Sequence, residues 1–269
     1  MTEIVDRVED VDAADRWSID IMRTVETPRF MLLEDVDMTA TRDLIARAKA
    51  DGVDLTYTHV IARATALALS RHPDLIRIIL GNRKLVYPST LDISFSVSSD
   101  QSLSAEPSIV LQDAAAKDLA GTAAEIRRLA AQARADAANS RDQARRLVRI
   151  IPSGALRRFM VRRMRTRMSM FREHIGIFHI TSVPRLKAAV PLVVPGIGGL
   201  SIGRVEDRVV ARDGVPVVRL TATLGLVGDH LVWKATEAST VIHEIRAILE
   251  SGELIDELPV TATAEQVTV

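Results

Sequence analysis

Val217 to Glu237 reads VVRLTATLGLVGDHLVWKATE. The alternation of Val218, Leu220, Ala222, Leu224 and Leu226 is the two-residue period of a β-strand, and the strand runs straight into Asp229 and His230. A strand end is a rigid place from which to hold an imidazole, and histidine is the side chain whose ordinary pKa lies nearest neutrality. His230 is therefore the first candidate for a general base. A strand-end histidine is also commonly a satisfied structural residue, and periodicity does not separate the two readings.

The composition bounds what surrounds this stretch. At 269 residues the chain can bury a sizeable core, as one large domain or two small ones. Lys and Arg number 35, as do Asp and Glu, so no global field points to nucleic acid or to a membrane surface. Aromatic residues make up only 3%, which disfavours base-stacking platforms. Cysteine is absent, which excludes disulfides, thiolate nucleophiles and cysteine-ligated zinc and fits a cytoplasmic location. The acidic N-terminus (MTEIVDRVEDVDAADRW) has no apolar h-region, so no secretory signal is expected. Ala188 to Gly203 is the longest weakly polar run; Pro191, Pro195 and four Gly break it, and no membrane span is expected.

Residues 1–16 read as a polar lead-in, followed by a short amphipathic helix over Ser18–Val25 that stops before Pro28. Phe30–Asp37 reads as a strand and Ala40–Ala50 as a helix that Thr39 or Thr41 can cap. A second helix over Thr56–Ser70 buries Val60, Ile61, Ala64, Leu67 and Ala68. Ile76–Leu80 and Lys84–Tyr87 form a hairpin turned at Gly81-Asn82. Leu91–Ser98 is a strand with Leu91, Ile93, Phe95 and Val97 on one face, and Pro107–Leu111 is another short one. Asp113–Ala138 is a helix whose buried stripe is Leu119, Ile126 and Leu129. Ile175–Val183 is a strand stopped by Pro184, Leu200–Val205 is a shorter strand, and Arg208–Ala211 pairs with Pro216–Leu226 through the turn Arg212-Asp213-Gly214. A last helix over Thr236–Glu250 stops at Ser251-Gly252, and residues 256–269 read as a disordered tail. No repeat or linker divides the chain, so residues 17–255 are expected to form one domain.

Between Arg141 and Arg172 eleven Arg stand against a single acid, Asp142. A solvated helical face, or a helix paired with acidic surface such as the N-terminal segment, accounts for such a run. The sharper alternatives are a subsite for the phosphates of an acyl-carrying cofactor, a surface for anionic lipid, or a dock for an acidic acyl carrier protein. Gly196-Ile197-Gly198-Gly199 lacks the spacing of a dinucleotide fingerprint and fits close backbone packing. Of the histidines, His59 and His72 read as structural parts of a helix, and His174 and His243 carry no spacing signal. His179 shares a strand face with Thr181 and is a candidate at an acceptor pocket. No His or carboxylate set has metal-ligand spacing, so no metal is expected.

Five stretches occur in a telling order. They are Thr27-Pro28-Arg29-Phe30 ahead of Asp35-Val36-Asp37; Leu55–Leu75 (LTYTHVIARATALALSRHPDL); Leu85-Val86-Tyr87 with the Leu91–Val97 strand; Phe178-His179-Ile180-Thr181-Ser182; and Leu224–Ala235. As a set they resemble the catalytic domain of the 2-oxo acid dehydrogenase acyltransferases, the superfamily that includes chloramphenicol acetyltransferase. The resemblance spans about residues 17–255. It implies an α/β fold, an α+β two-layer sandwich with a mixed sheet covered by helices, assembled as a homotrimer whose active sites lie between subunits. It also implies acyl transfer from a thioester to a hydroxyl or thiol without a covalent enzyme intermediate. His230 would be the base on the acceptor and the Thr181 hydroxyl the donor to the oxyanion, with Ser182, His179, Asp229 and Lys234 as pocket candidates. The implied donor is coenzyme A in its acetyl form, with no lipoyl group on this chain. Free-standing members imply a small-molecule acceptor hydroxyl, such as a polyketide or tetronate intermediate.

The departures from the family pattern are equally specific. The family signature continues from its His with Arg next, then Asp and Gly at the fourth and fifth positions; here those residues are Leu231, Lys234 and Ala235. In the family the Asp pairs with an Arg to shape the loop around the His. A Lys inverts the charge, so that support is either lost or rebuilt. If it is lost, the alternative is a non-catalytic trimeric scaffold or binding protein built on the same fold.

Overall fold

A computed structural model describes residues 6–10, 28–80, 83–97, 108–136, 139, 150–151, 156, 159, 163, 166–190 and 196–258. The expected Ser18–Val25 helix, the Gly81-Asn82 turn and most of the Arg141–Arg172 run lie outside the described residues, as do residues 259–269. In chain order the main elements are β1 (Arg7–Asp10), β2 (Arg29–Asp37), α1 (Thr39–Ala50), α2 (Tyr57–Arg71), β3 (Ile78–Leu80), β4 (Lys84–Tyr87), β5 (Ile93–Ser96), β6 (Ser108–Leu111), α3 (Leu119–Ala135), β7 (Phe178–Ser182), β8 (Gly198–Ile202), β9 (Glu206–Arg212), β10 (Val215–Asp229) and α4 (Ala235–Ser251).

The long alternating run becomes β10, the spine of the sheet. Along one edge it pairs with β2 from Thr221 to Asp229; along the other it pairs with β9 from Val215 to Thr221 and with β8 from Leu224 to Gly228. Adding β7, β5 and β6 gives a seven-stranded mixed sheet in the order β2-β10-β8-β7-β5-β6. It is parallel at β8-β7-β5 and antiparallel elsewhere. β1, β4 and β3 make a small antiparallel sheet of their own. The β9–β10 hairpin turns at Asp213 (φ 51°) and Gly214 (φ 77°), positive angles that Asp and Gly tolerate best.

Four helices complete the second layer. α4 packs on β2 and β10, α1 on β10, α3 on β6, and α2 lies against the other three helices. Ten residues of α2 are buried, Val60, Ile61 and Leu69 among them, so most of this helix faces protein rather than water. It starts with a reciprocal cap: the Thr56 hydroxyl accepts from the His59 N–H at 3.4 Å, and His59 Nδ1 accepts from the Thr56 N–H at 3.2 Å. Burial pushes the His59 pKa down to about 4, helped by Arg127 and opposed by Asp54. Arg63, on the same helix, donates to both carboxylate oxygens of Glu257 at 2.7–2.9 Å, and Leu258 is buried. Residues 256–258, which the sequence assigns to a tail, therefore belong to the fold. Among the described residues no helix is long and apolar enough to cross a membrane.

Two local expectations are corrected. Neither Thr39 nor Thr41 caps α1: its N-cap is Met38, the Thr39 N–H donates to Asp37 Oδ1 at 3.0 Å, and the Thr41 hydroxyl reaches across to Leu249 O at 3.1 Å. The Asp113–Ala138 helix is broken near its start. Asp113 is left-handed (φ 47°), a short 3-10 turn covers Ala114–Ala116, and α3 begins afresh with Asp118 accepting from the Gly121 N–H at 2.7 Å.

Candidate active site

β10 delivers Asp229 and His230 to the end of the sheet, where the chain turns into α4. His230 is exposed, and its backbone N–H donates to Pro28 O at 2.9 Å. Phe30 sits opposite Gly228 in the β2–β10 register, where a Cβ on residue 228 would overlap the phenyl ring. The ring therefore lies across the glycine and meets the His230 imidazole edge-on, with centroids 5.5 Å apart and planes at 82°. Asp229 Oδ1 accepts from the Leu231 N–H at 3.0 Å, and its other oxygen lies 3.7 Å from Arg29. Trp233 is buried, tilts against Phe178 and donates its indole N–H to Leu75 O at 2.7 Å.

Arg77 braces the turn. Its Nε and Nη2 donate to Val232 O at 2.9 and 2.6 Å, and Nη2 also reaches both carboxylate oxygens of Glu237 at 2.8 and 2.9 Å. Glu237 in turn accepts from the Lys234 N–H at 2.8 Å. Burial alone raises the Glu237 pKa, but the Lys234 N–H and the Arg77 guanidinium outweigh it and hold the carboxyl below its ordinary range. The Lys234 residue itself is exposed. Arg77 and Glu237, neither of which stands out in the sequence, thus hold the turn that carries His230. The available cue was Arg77 itself, the one charge in the apolar run Leu75–Leu80.

Thr181 and His179 occupy β7, with Thr181 half-buried, Ser182 exposed and His179 buried. His179 Nδ1 lies 2.9 Å from Ser94 Oγ and Nε2 lies 3.2 Å from Ser96 Oγ, both on the adjacent parallel strand β5. Burial pushes the His179 pKa below the ordinary histidine value. The glycine run forms a close backbone approach, as expected: a Cβ on Gly196 would overlap the Ile177 carbonyl, and one on Gly198 the Val227 carbonyl.

The two groups of candidates stand apart within one chain. Thr181 is opposite Ser201 on β8, and Ser201 is opposite Gly225 on β10, five positions short of His230. At about 3.4 Å per residue and 4.8 Å per strand, this is roughly 17 Å along the sheet and 10 Å across it. His230, Asp229 and Lys234 thus gather at one end, while His179, Thr181 and Ser182 lie toward the other. Among the described residues no group of three or more His, Asp or Glu side chains could hold a metal ion.

With this geometry in hand, the family model of the 2-oxoacid dehydrogenases acyltransferase (catalytic domain) matches residues 13–157, just over half of the chain. The chain belongs to this acyltransferase family. The matched residues run from the N-terminal segment to within the Arg-rich run; Thr181 and His230 lie beyond them. Among solved structures, a probable dihydrolipoamide acetyltransferase from Listeria monocytogenes aligns at 22% identity and TM-score 0.63, covering 94% of this chain and 96% of its own. The cubic core of a pyruvate dehydrogenase multienzyme complex aligns at 19% identity and TM-score 0.66, covering 93% and 94%. The dihydrolipoamide acetyltransferase of Azotobacter vinelandii aligns at 19% identity and TM-score 0.65, covering 90% and 88%. These likenesses establish the fold, a mixed sheet with helices. No curated protein matches the chain.

Proposed function

We propose that the protein transfers a short acyl group, acetyl from acetyl-CoA, to a hydroxyl of a small molecule such as a polyketide or tetronate intermediate. The observation that carries this reading is His230: an exposed imidazole at the end of the central strand, on a turn fastened from both sides by Arg77, Glu237 and Trp233. His230 takes the acceptor's proton, and the acceptor oxygen attacks the thioester carbonyl. The Thr181 hydroxyl donates to the oxyanion of the tetrahedral intermediate, and no covalent enzyme intermediate forms. Because Thr181 and His230 lie far apart in one chain, the working site is shared between neighbouring subunits of a homotrimer. The dihydrolipoamide acetyltransferase of Azotobacter vinelandii supports a serine-type hydroxyl and a histidine as partners, since a serine, a histidine and an asparagine four positions after that histidine have been investigated for their role in its catalytic mechanism. Lys234 has that spacing from His230 here.

The test is turnover of acetyl-CoA against a panel of hydroxylated acceptors. His230→Ala should lower the rate by about 10²-fold or more, and an unchanged rate would sink the mechanism. Lys234 also favours a second reading, a trimeric scaffold that binds no thioester. Under that reading no acyl-CoA raises the melting temperature, whereas saturating ligand stabilises a transferase by mass action.

A further inference from the structure

We propose that Ser96, His179 and Ser94 form a second reactive centre, in which the Ser96 hydroxyl is an acyl-accepting nucleophile, His179 its base and Ser94 the residue that orients the imidazole. This goes beyond the transfer assigned to His230 and Thr181, which needs no covalent enzyme intermediate. The roles belong to one tautomer, the one with its proton on Nδ1: Ser94 Oγ, 2.9 Å away, then accepts from Nδ1 while its own hydroxyl faces Phe178 O at 3.4 Å. Nδ1 then carries the only N–H of a neutral imidazole, and the Nε2 lone pair faces Ser96 Oγ at 3.2 Å. A nucleophile within hydrogen-bond reach of a base, itself held by a third group, is the arrangement that activates serine.

The frame around these groups is tight. Ser94 is fully buried and stands opposite His179 in the β5–β7 register. Gly176, at φ 78°, lets the chain approach: a Cβ there would come within 2.8–2.9 Å of the Ser94 N, Cβ and Oγ atoms. Ser96 is only half-buried and so stays within reach of an acyl donor. Extending the register by one position sets Thr181 opposite Ser96 on the same sheet face, a hydroxyl donor for the oxyanion. Burial lowers the His179 pKa, which favours the neutral imidazole.

In the reaction, the Ser96 proton passes to His179 Nε2 as Oγ bonds to the carbonyl carbon of a thioester or activated ester. The carbon–sulfur or carbon–oxygen bond then breaks, and the leaving group takes the proton from Nε2. Ser96 remains as an acyl ester. Water or an acceptor hydroxyl, deprotonated by Nε2, attacks that ester and restores the serine.

The full chain is incubated with p-nitrophenyl acetate, the p-nitrophenolate burst is followed, and the acetylated residue is located by peptide mass mapping. The expected result is one acetyl group on Ser96, retained in His230→Ala, absent in Ser96→Ala and formed about 10²-fold more slowly in His179→Gln. No acetyl on Ser96 in the unaltered chain overturns the proposal, as does an unchanged rate in a His179→Gln protein with native circular dichroism. If His179→Gln does not fold, Ser94→Ala keeps the base but frees its ring: slowed acetylation supports the proposal and an unchanged rate overturns it. Failure of His230→Ala in acetyl-CoA transfer, with Ser96 acetylation intact, separates the two sites.

Discussion

Arg77→Met tests whether the turn that carries His230 is fastened by a charge or merely by packing. The substitution keeps most of the side-chain volume and removes every donor. Two costs follow. The carbonyl of Val232, a residue only 7% exposed, loses both guanidinium hydrogen bonds, and an unsatisfied buried carbonyl costs about 1–3 kcal/mol. The ion pair to Glu237, with side chains 20% and 26% exposed, lies between surface and interior; discounted for screening, it adds about 1 kcal/mol. The expected loss is about 2–4 kcal/mol, which for a chain of this size lowers the melting temperature by roughly 4–16 °C. Thermal unfolding by circular dichroism reads this directly, and a double-mutant cycle with Glu237→Gln should return a coupling of about 1 kcal/mol. High salt should erode that coupling while leaving the Val232 share in place. A melting temperature within 1 °C of the unaltered chain would refute the reasoning, because it would mean that packing of Trp233 holds the turn without Arg77.

His59 provides a pH test. Its pKa is depressed to about 4, so the unfolded chain binds a proton that the folded chain refuses between about pH 6.5 and 4. Stability falls as pH drops through that window, by about 3 kcal/mol for this group. His59→Gln, which keeps an acceptor for the Thr56 N–H, should flatten that share of the urea-unfolding pH profile, and an unaltered profile would count against the assignment. Gly228→Ala forces a methyl group against the Phe30 ring and should destabilise by about 1–3 kcal/mol while shifting the His230 ring proton resonances. Native stability together with unmoved resonances would show that Phe30 yields freely. Asp118→Ala removes the cap of α3 and should cost about 1 kcal/mol by chemical denaturation; no change would mean that water replaces the cap.

Much of the sheet was legible because alternation survives wherever one strand face is apolar. β10, β9 and the Asp213-Gly214 turn followed from Val218–Leu226 and from residues that tolerate positive φ. What alternation hides is a polar face that is also buried. Ser94 alternates with the apolar residues of the Leu91–Val97 strand, yet β5 lies inside the sheet and its polar face meets His179. Helix starts were harder, because competing caps are local and numerous: Asp37, not Thr39 or Thr41, satisfies the start of α1, and Asp113 breaks what composition reads as one helix. The brace of the His230 turn was not readable at all. Arg77 and Val232 are 155 positions apart, and no local pattern links a strand-edge arginine to a carbonyl that distant. The resemblance supplied the proposed roles of His230 and Thr181, and the register added the spacing that keeps them apart.

That spacing has a consequence for how the protein responds to dilution. α2, α4 and the sheet share one buried core within the chain. A site that, as proposed, draws Thr181 from one chain and His230 from another would be a property of the assembly, governed by mass action. Activity per chain should therefore vanish at concentrations where each chain remains fully folded. Conversely, an equal mixture of Thr181→Ala and His230→Ala proteins, each inactive alone, should regain about a quarter of the native sites once their subunits exchange.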